Sequence, residues 1–161
     1  YIELPKKLTV KQNLIVFGKL YKIKNLNDRI DYLTSKLRLN DILNRITGEL
    51  SSGQKNRASL AKSLINDPKV LLLDEPTASL DPEIGDFIRS FLEDYKKEKK
   101  VSILLASHNM NEVTRLCKSI LMMKDGIIVD SGNPANLIEK HGRKNLEEVF
   151  LKLSRSSNEL N

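Results

Sequence analysis

The chain has 161 residues, 40% of them hydrophobic and 30% charged, with a net charge of +6 and a single cysteine, Cys117. That length suffices for one domain with its own core; one thiol excludes an internal disulfide and points to a reducing compartment, and no apolar stretch approaches the roughly 18 residues that cross a bilayer. The lysines are spread along the sequence, and their densest run, Lys96-Lys97-Glu98-Lys99-Lys100, is placed like a solvated helix end, so the charge is not read as a specific nucleic-acid partner.

Residues 9–46 read as helical. Thr9 is placed to cap a helix carrying Leu14, Phe17, Leu20 and Tyr21 on one face, and Asn27 or Asp28 to start a second with Ile30, Leu33 and Leu37 turned inward. From Gly53 to Asn66 a third helix has Ala58, Ala61, Leu64 and Ile65 spaced for one buried face, and Pro68 stops it. Val70–Asp74 is apolar until its last residue, the pattern of a strand covered on both faces in a parallel sheet. Asp81-Pro82 signals a helix start, with Ile84, Phe87, Ile88, Phe91 and Tyr95 as the apolar stripe that follows. Val101–Ala106 is the next strand and Asn109–Cys117 the next helix. Ile120–Met123 and Ile127–Val129 flank Asp125-Gly126, a hairpin turn. Residues 134–140 and 145–153 close the chain as two helices. This alternation predicts an α/β fold with a doubly wound parallel sheet, the early helical block being an attached subdomain. In such sheets ligands sit outside the carboxyl ends of the strands.

Four short stretches carry chemistry. Leu50-Ser51-Ser52-Gly53-Gln54 stands at a helix start, where unpaired amides and the positive end of the dipole attract phosphate and small residues permit close approach. Val70-Leu71-Leu72-Leu73-Asp74-Glu75-Pro76 puts two carboxylates at a strand tip, and alternation along a strand turns neighbours to opposite sides, one toward a magnesium ion and one toward an attacking water. Ser79-Leu80-Asp81-Pro82 is a helix cap. Ser107-His108 follows the second apolar strand, where a histidine can hydrogen-bond a terminal phosphate. Taken singly, each has a plain structural reading as well: a serine cap, a polar strand end, an Asp-Pro cap, a surface histidine.

Together, and in this order, the four resemble the ATP-binding cassette (ABC) ATPases: Leu50–Gln54 resembles the signature motif, Val70–Asp74 with Glu75 the Walker B motif and its catalytic glutamate, Ser79-Leu80-Asp81 the D-loop, and His108 the switch histidine. The resemblance implies a partial P-loop NTPase (RecA-like) sheet with an inserted helical subdomain: residues 1–49 as that subdomain, 50–131 as the catalytic α/β core, and 132–161 as C-terminal helices. It implies ATP and magnesium, with Asp74 holding the metal, Glu75 polarising the attacking water, and His108 contacting the γ-phosphate. Asp81 would couple two sites across a dimer, and Ser52, Gly53 and Gln54 would complete the site of a second ATPase subunit bound head to tail. It further implies a transmembrane permease as partner and a place on the cytoplasmic face of the membrane. The ending Asn145–Leu153 resembles exporter-type ATPases that pair with a separate permease.

The sequence departs from the family in one respect. No G-x-x-x-x-G-K-[ST] stretch occurs; Gly18-Lys19 is followed by Leu20 in a helical context, and Tyr1–Leu8 resembles the segment past the glutamine loop without supplying its glutamine, for which Gln12 is a poor substitute. With Tyr1 in place of an initiator Met, this leads to the expectation of a truncated piece of an intact ATPase, inactive alone. A soluble ABC protein acting on ribosomes or DNA, or a non-catalytic remnant, are the alternative readings.

Overall fold

Thr9 opens the first helix, α1 (Val10–Leu20), in the computed structural model, which describes residues 3–78 and 80–155. Its hydroxyl accepts the Gln12 amide at 3.1 Å while the Gln12 side chain accepts the Thr9 amide at 2.9 Å, a reciprocal cap. Val10, Asn13, Leu14 and Gly18 face the core. Leu20 and Tyr21, expected on that face, are 69% and 54% exposed. The chain turns beyond Gly18 and makes the contact there instead: a Cβ on Gly18 would lie 2.0 Å from a Leu26 methyl, so a larger residue would require the Leu26 side chain to move.

Helix α2 (Leu26–Lys36) starts slightly before the predicted caps, and its inward residues Ile30, Leu33 and Leu37 are buried as the spacing requires. Helix α3 (Ser52–Leu64) starts at Ser52, not Gly53, and ends before Asn66; Ala58, Ala61, Leu64 and Ile65 are all buried. The three helices pack against one another. Arg57 of α3 donates to Leu37 O at 3.1 Å and to Arg38 O, placing a cation at the C-terminal carbonyls of α2.

Two polar clusters tie this block together. Asn13, 1% exposed, shares its Nδ2 hydrogens among Pro5 O, Thr9 O and the Thr47 hydroxyl at 3.0–3.2 Å, so residues 5–9 and 47 converge on one amide. Arg29 donates to Leu64 O, to Ile65 O at 3.3 Å and to Asp67 at 2.7 Å, where the chain turns through a left-handed Asp67 (φ 46°) toward the first strand. The Tyr95 hydroxyl donates to the same carboxylate at 3.0 Å. Burial pushes the Tyr95 phenol up to about 12, so it remains a donor at any working pH.

Strand β1 (Val70–Asp74) leads through α4 (Pro82–Lys99) to β2 (Ser102–Ala106), its neighbour in a two-stranded sheet, where Ser102 N donates to Lys69 O at 3.0 Å. The expectation of cover on both faces of β1 is corrected here. Leu71 is 3% exposed but Val70 and Leu72 are 60% and 70% exposed, and Leu104 of β2 is 65% exposed. Exposure alternates with the two-residue period of a strand, so one face is covered and, among the described residues, the other is not. On α4, Ile88, Phe91, Leu92 and Tyr95 are buried, while Ile84 and Phe87 are half-buried.

The chain divides into two units between Leu104 and Leu105. In the second, α5 (Met110–Leu116) precedes β3 (Ile120–Lys124) and β4 (Ile127–Gly132), an antiparallel pair joined by Asp125 (φ 49°) and Gly126 (φ 78°). Two consecutive positive φ values make the tight hairpin that an Asp-Gly pair favours. Helices α6 (Pro134–His141) and α7 (Leu146–Arg155) follow, and Val113, Ile120, Met122, Leu137, Leu146 and Val149 form the core.

Asp130 of β4 is held by three donors: Lys140 at 2.7 Å, His141 at 2.6 Å and the Ser131 amide at 2.8 Å. Lys140 foremost, then His141 and the amide, keep its carboxyl well below the ordinary value of 3.8. The folded form therefore prefers the ionised acid; the stabilisation is complete above the ordinary carboxylate range and is lost as pH falls below it. The stability difference between wild type and Asp130→Asn, measured by urea unfolding, is expected to be constant above about pH 5 and to shrink steadily in acid. A difference that stays the same down to about pH 3 would refute the assignment.

Candidate functional site

The carboxyl end of β1 supplies the acids. Asp74 is the last residue of the strand and is exposed; Glu75 has left it, half-buried, at φ 47°. Strand alternation therefore does not set the direction of Glu75, as the sequence reading supposed: a left-handed turn does. Non-glycine residues in this region cost roughly 1–3 kcal/mol and concentrate at sites where geometry matters. Pro76 and Thr77 are buried behind the acids, and the turn closes with Ala78 N donating to Glu75 O at 3.3 Å and Leu80 N to Thr77 O at 3.2 Å. Ser79 lies outside the described residues. Asp81 caps α4, its carboxylate accepting the Ile84 amide at 3.0 Å with Pro82 in the first helical position.

Ser52, Gly53 and Gln54 form the first turn of α3. Ser51 is the cap: its hydroxyl accepts the Gln54 amide at 3.3 Å, and the Gln54 side chain accepts the Ser51 amide at 3.1 Å. Gln54 thus has a local task that holds the turn in shape. The amides of Ser52 and Gly53 stand where a helix offers no intrahelical acceptor, and both residues reach the surface.

In the second unit, Ser107 follows β2 and is half-buried, and His108 is exposed. Asn109 caps α5, its side-chain oxygen accepting the Asn111 and Glu112 amides at 3.1 and 3.2 Å. Ser107 donates to Glu112, which is 0% exposed, at 2.7 Å. Sequence reasoning singled out His108 but not Glu112, because an acid in a short helix reads as a surface residue; its place one turn after Asn109, beside apolar Val113, was the available signal.

Asp74, Glu75 and Asp81 thus bracket one connection, from β1 to α4; Ser52–Gln54 open a different helix, and His108 belongs to the second unit. Among the described residues no group of three or more His, Cys, Asp or Glu side chains could hold a metal. One exposed carboxylate at a strand tip fits magnesium, which takes one or two protein oxygens and completes its shell with phosphate and water.

Comparison with known proteins gives this arrangement its context. The family model described as ABC transporter matches residues 2–78. The chain is 35% identical to the ABC transporter ATP-binding protein NatA of Bacillus subtilis over 90% of its own length and 59% of NatA. It is 36% identical to the Nod factor export ATP-binding protein I of Rhizobium sp. (strain N33) over 91% of its length and 49% of that protein. The solved structure of cbiO1 from Clostridium perfringens, part of the ABC transporter complex cbiONQ, superposes with a TM-score of 0.68 at 31% identity, covering 84% of this chain and 55% of that one. The chain therefore spans only about half to three-fifths of these relatives. The matched family model, these relatives and the superposed structure agree: the chain is similar to ATP-binding proteins of ABC transporters and shares their fold.

Proposed function

We propose that this chain is part of an ATP-hydrolysing subunit of an ABC membrane transporter, coupling hydrolysis to transport. The observation that carries the reading is Glu75: an acid held in a left-handed turn at the carboxyl end of β1, directly after Asp74. Residues 1–49 serve as the helical subdomain, 50–131 as the catalytic core and 132–161 as the C-terminal helices. ATP is the substrate. Asp74 would hold magnesium, whose chemistry here is to neutralise charge on the phosphates. Glu75 accepts the proton of the attacking water and His108 donates to the γ-phosphate. Ser52, Gly53 and Gln54 serve the site of a second subunit arranged head to tail, and Asp81 couples the two sites.

The partners are that second subunit and a membrane permease, with no specific nucleic acid, and the location is the cytoplasmic face of the membrane. Among the described residues no helix is long and apolar enough to cross a membrane. The relative whose name speaks of export supports an exporter, and cbiO1, part of an ABC transporter complex, supports assembly with further transporter subunits.

The 161 residues contain no G-x-x-x-x-G-K-[ST] loop, which provides most of the grip on the phosphates in this class of enzyme. The chain alone is therefore expected neither to bind ATP tightly nor to hydrolyse it, whereas the full-length protein does both. Phosphate release by each, with and without the permease, is the test. Turnover by the 161-residue chain that Glu75→Gln abolishes would overturn the expectation, and a full-length protein without ATPase activity would overturn the proposal.

A further inference from the structure

Glu112 is the buried acid that the reading above leaves without a task. It sits at 0% exposure in the seven-residue helix α5, next to core residues Val113 and Leu116. An acid at such a place contributes less to packing than an apolar side chain of its size, and it needs donors to remain there. One donor to it is the Ser107 hydroxyl at 2.7 Å. The same hydroxyl oxygen accepts the Asn109 amide at 3.1 Å, and the Asn109 side chain in turn accepts the Asn111 and Glu112 amides. The ring is closed: Glu112 fixes Ser107, Ser107 fixes the Asn109 backbone, and Asn109 fixes the start of the helix that carries Glu112. The residue between the two anchored positions is His108, whose own side chain is exposed.

We infer that Glu112 is a positioning residue for His108, acting through Ser107 to hold the backbone from which the imidazole projects. This rests on the proposed ATPase reading. Since a shift of about 1 Å in a reacting group costs up to about 100-fold in rate, the effect belongs in kcat and not in ATP affinity.

The test uses the full-length ATPase, with kcat and KM for ATP measured for Glu112→Leu, Glu112→Gln, Ser107→Ala and His108→Ala. Glu112→Leu preserves volume but cannot accept the Ser107 hydroxyl, and is expected to lower kcat about tenfold or more with KM within about twofold. Ser107→Ala is expected to follow it. Glu112→Gln keeps an oxygen that accepts the same hydroxyl and is expected to retain most of kcat. Should Glu112→Leu fail to fold, Ser107→Ala, which removes one oxygen at a half-buried site, decides. Wild-type kcat in Ser107→Ala or in folded Glu112→Leu, alongside a large loss in His108→Ala, overturns this inference alone. Equal losses in Glu112→Gln and Glu112→Leu overturn it too, since charge and not positioning would then be what counts. Full turnover in His108→Ala overturns the role of His108 and the inference with it.

Discussion

Glu75→Gln in the full-length protein is expected to lower ATP turnover by about 100-fold or more while ATP binding persists. Glutamine matches glutamate in size and, at φ 47°, meets the same backbone demand, so the turn from Glu75 to Ala78 should survive the change. What is lost is the ability to take a proton from water. General-base catalysis contributes roughly 10²–10⁴-fold, and that range sets the scale of the loss. Single-turnover phosphate release together with nucleotide-binding titration separates the two effects. A variant keeping a tenth of wild-type turnover would remove Glu75 from the catalytic role.

Arg29→Ala is expected to have the largest effect on stability, roughly 3 kcal/mol. The guanidinium is 11% exposed as a side chain and gathers Leu64 O, Ile65 O and Asp67, so its removal leaves three acceptors without this donor at the exit of α3. The Tyr95 hydroxyl still reaches Asp67 at 3.0 Å and limits the damage there. Chemical denaturation of the full-length protein measures the loss, and Arg29→Lys should recover only part of it, because an ammonium cannot span the same fork of acceptors. A loss below about 1 kcal/mol for Arg29→Ala would show that water replaces the guanidinium readily.

These two residues also mark the boundary of what the sequence discloses. Local signals translated directly: Thr9 and Ser51 cap helices, Asp81-Pro82 opens α4, and Asp125-Gly126 makes the hairpin turn. Each depends on chemistry within a few residues, which a linear reading contains. Inward stripes on α2, α3 and α4 translated almost as well: Ile30, Leu33, Ala61 and Ile88 are all buried. The strands stand where their apolar runs placed them, but the cover expected on both faces of β1 is missing from one. An apolar run such as Val70–Leu73 states what the strand would bury, and only a neighbouring layer can bury it. The acid pair was identifiable from its place at a strand end, but the left-handed backbone of Glu75 was not. Asn13, Arg29 and Glu112 escaped because their partners are set by tertiary contact or, for Glu112, by a ring with a serine five residues back.

The closure around Asn13 has an evolutionary consequence. Val10 N donates to Arg45 O, Thr47 N to Leu8 O and Gly48 N to Lys6 O, so the segment from residue 10 to 45 departs and returns at one place. A hairpin of helices pinned at its base in this way can lengthen or shorten at its turn with little added entropy of closure, each doubling of its length costing only about 0.6 kcal/mol. Diversification is then easiest at the exposed turn around Leu20 and Tyr21, because the rest of the excursion packs along α3.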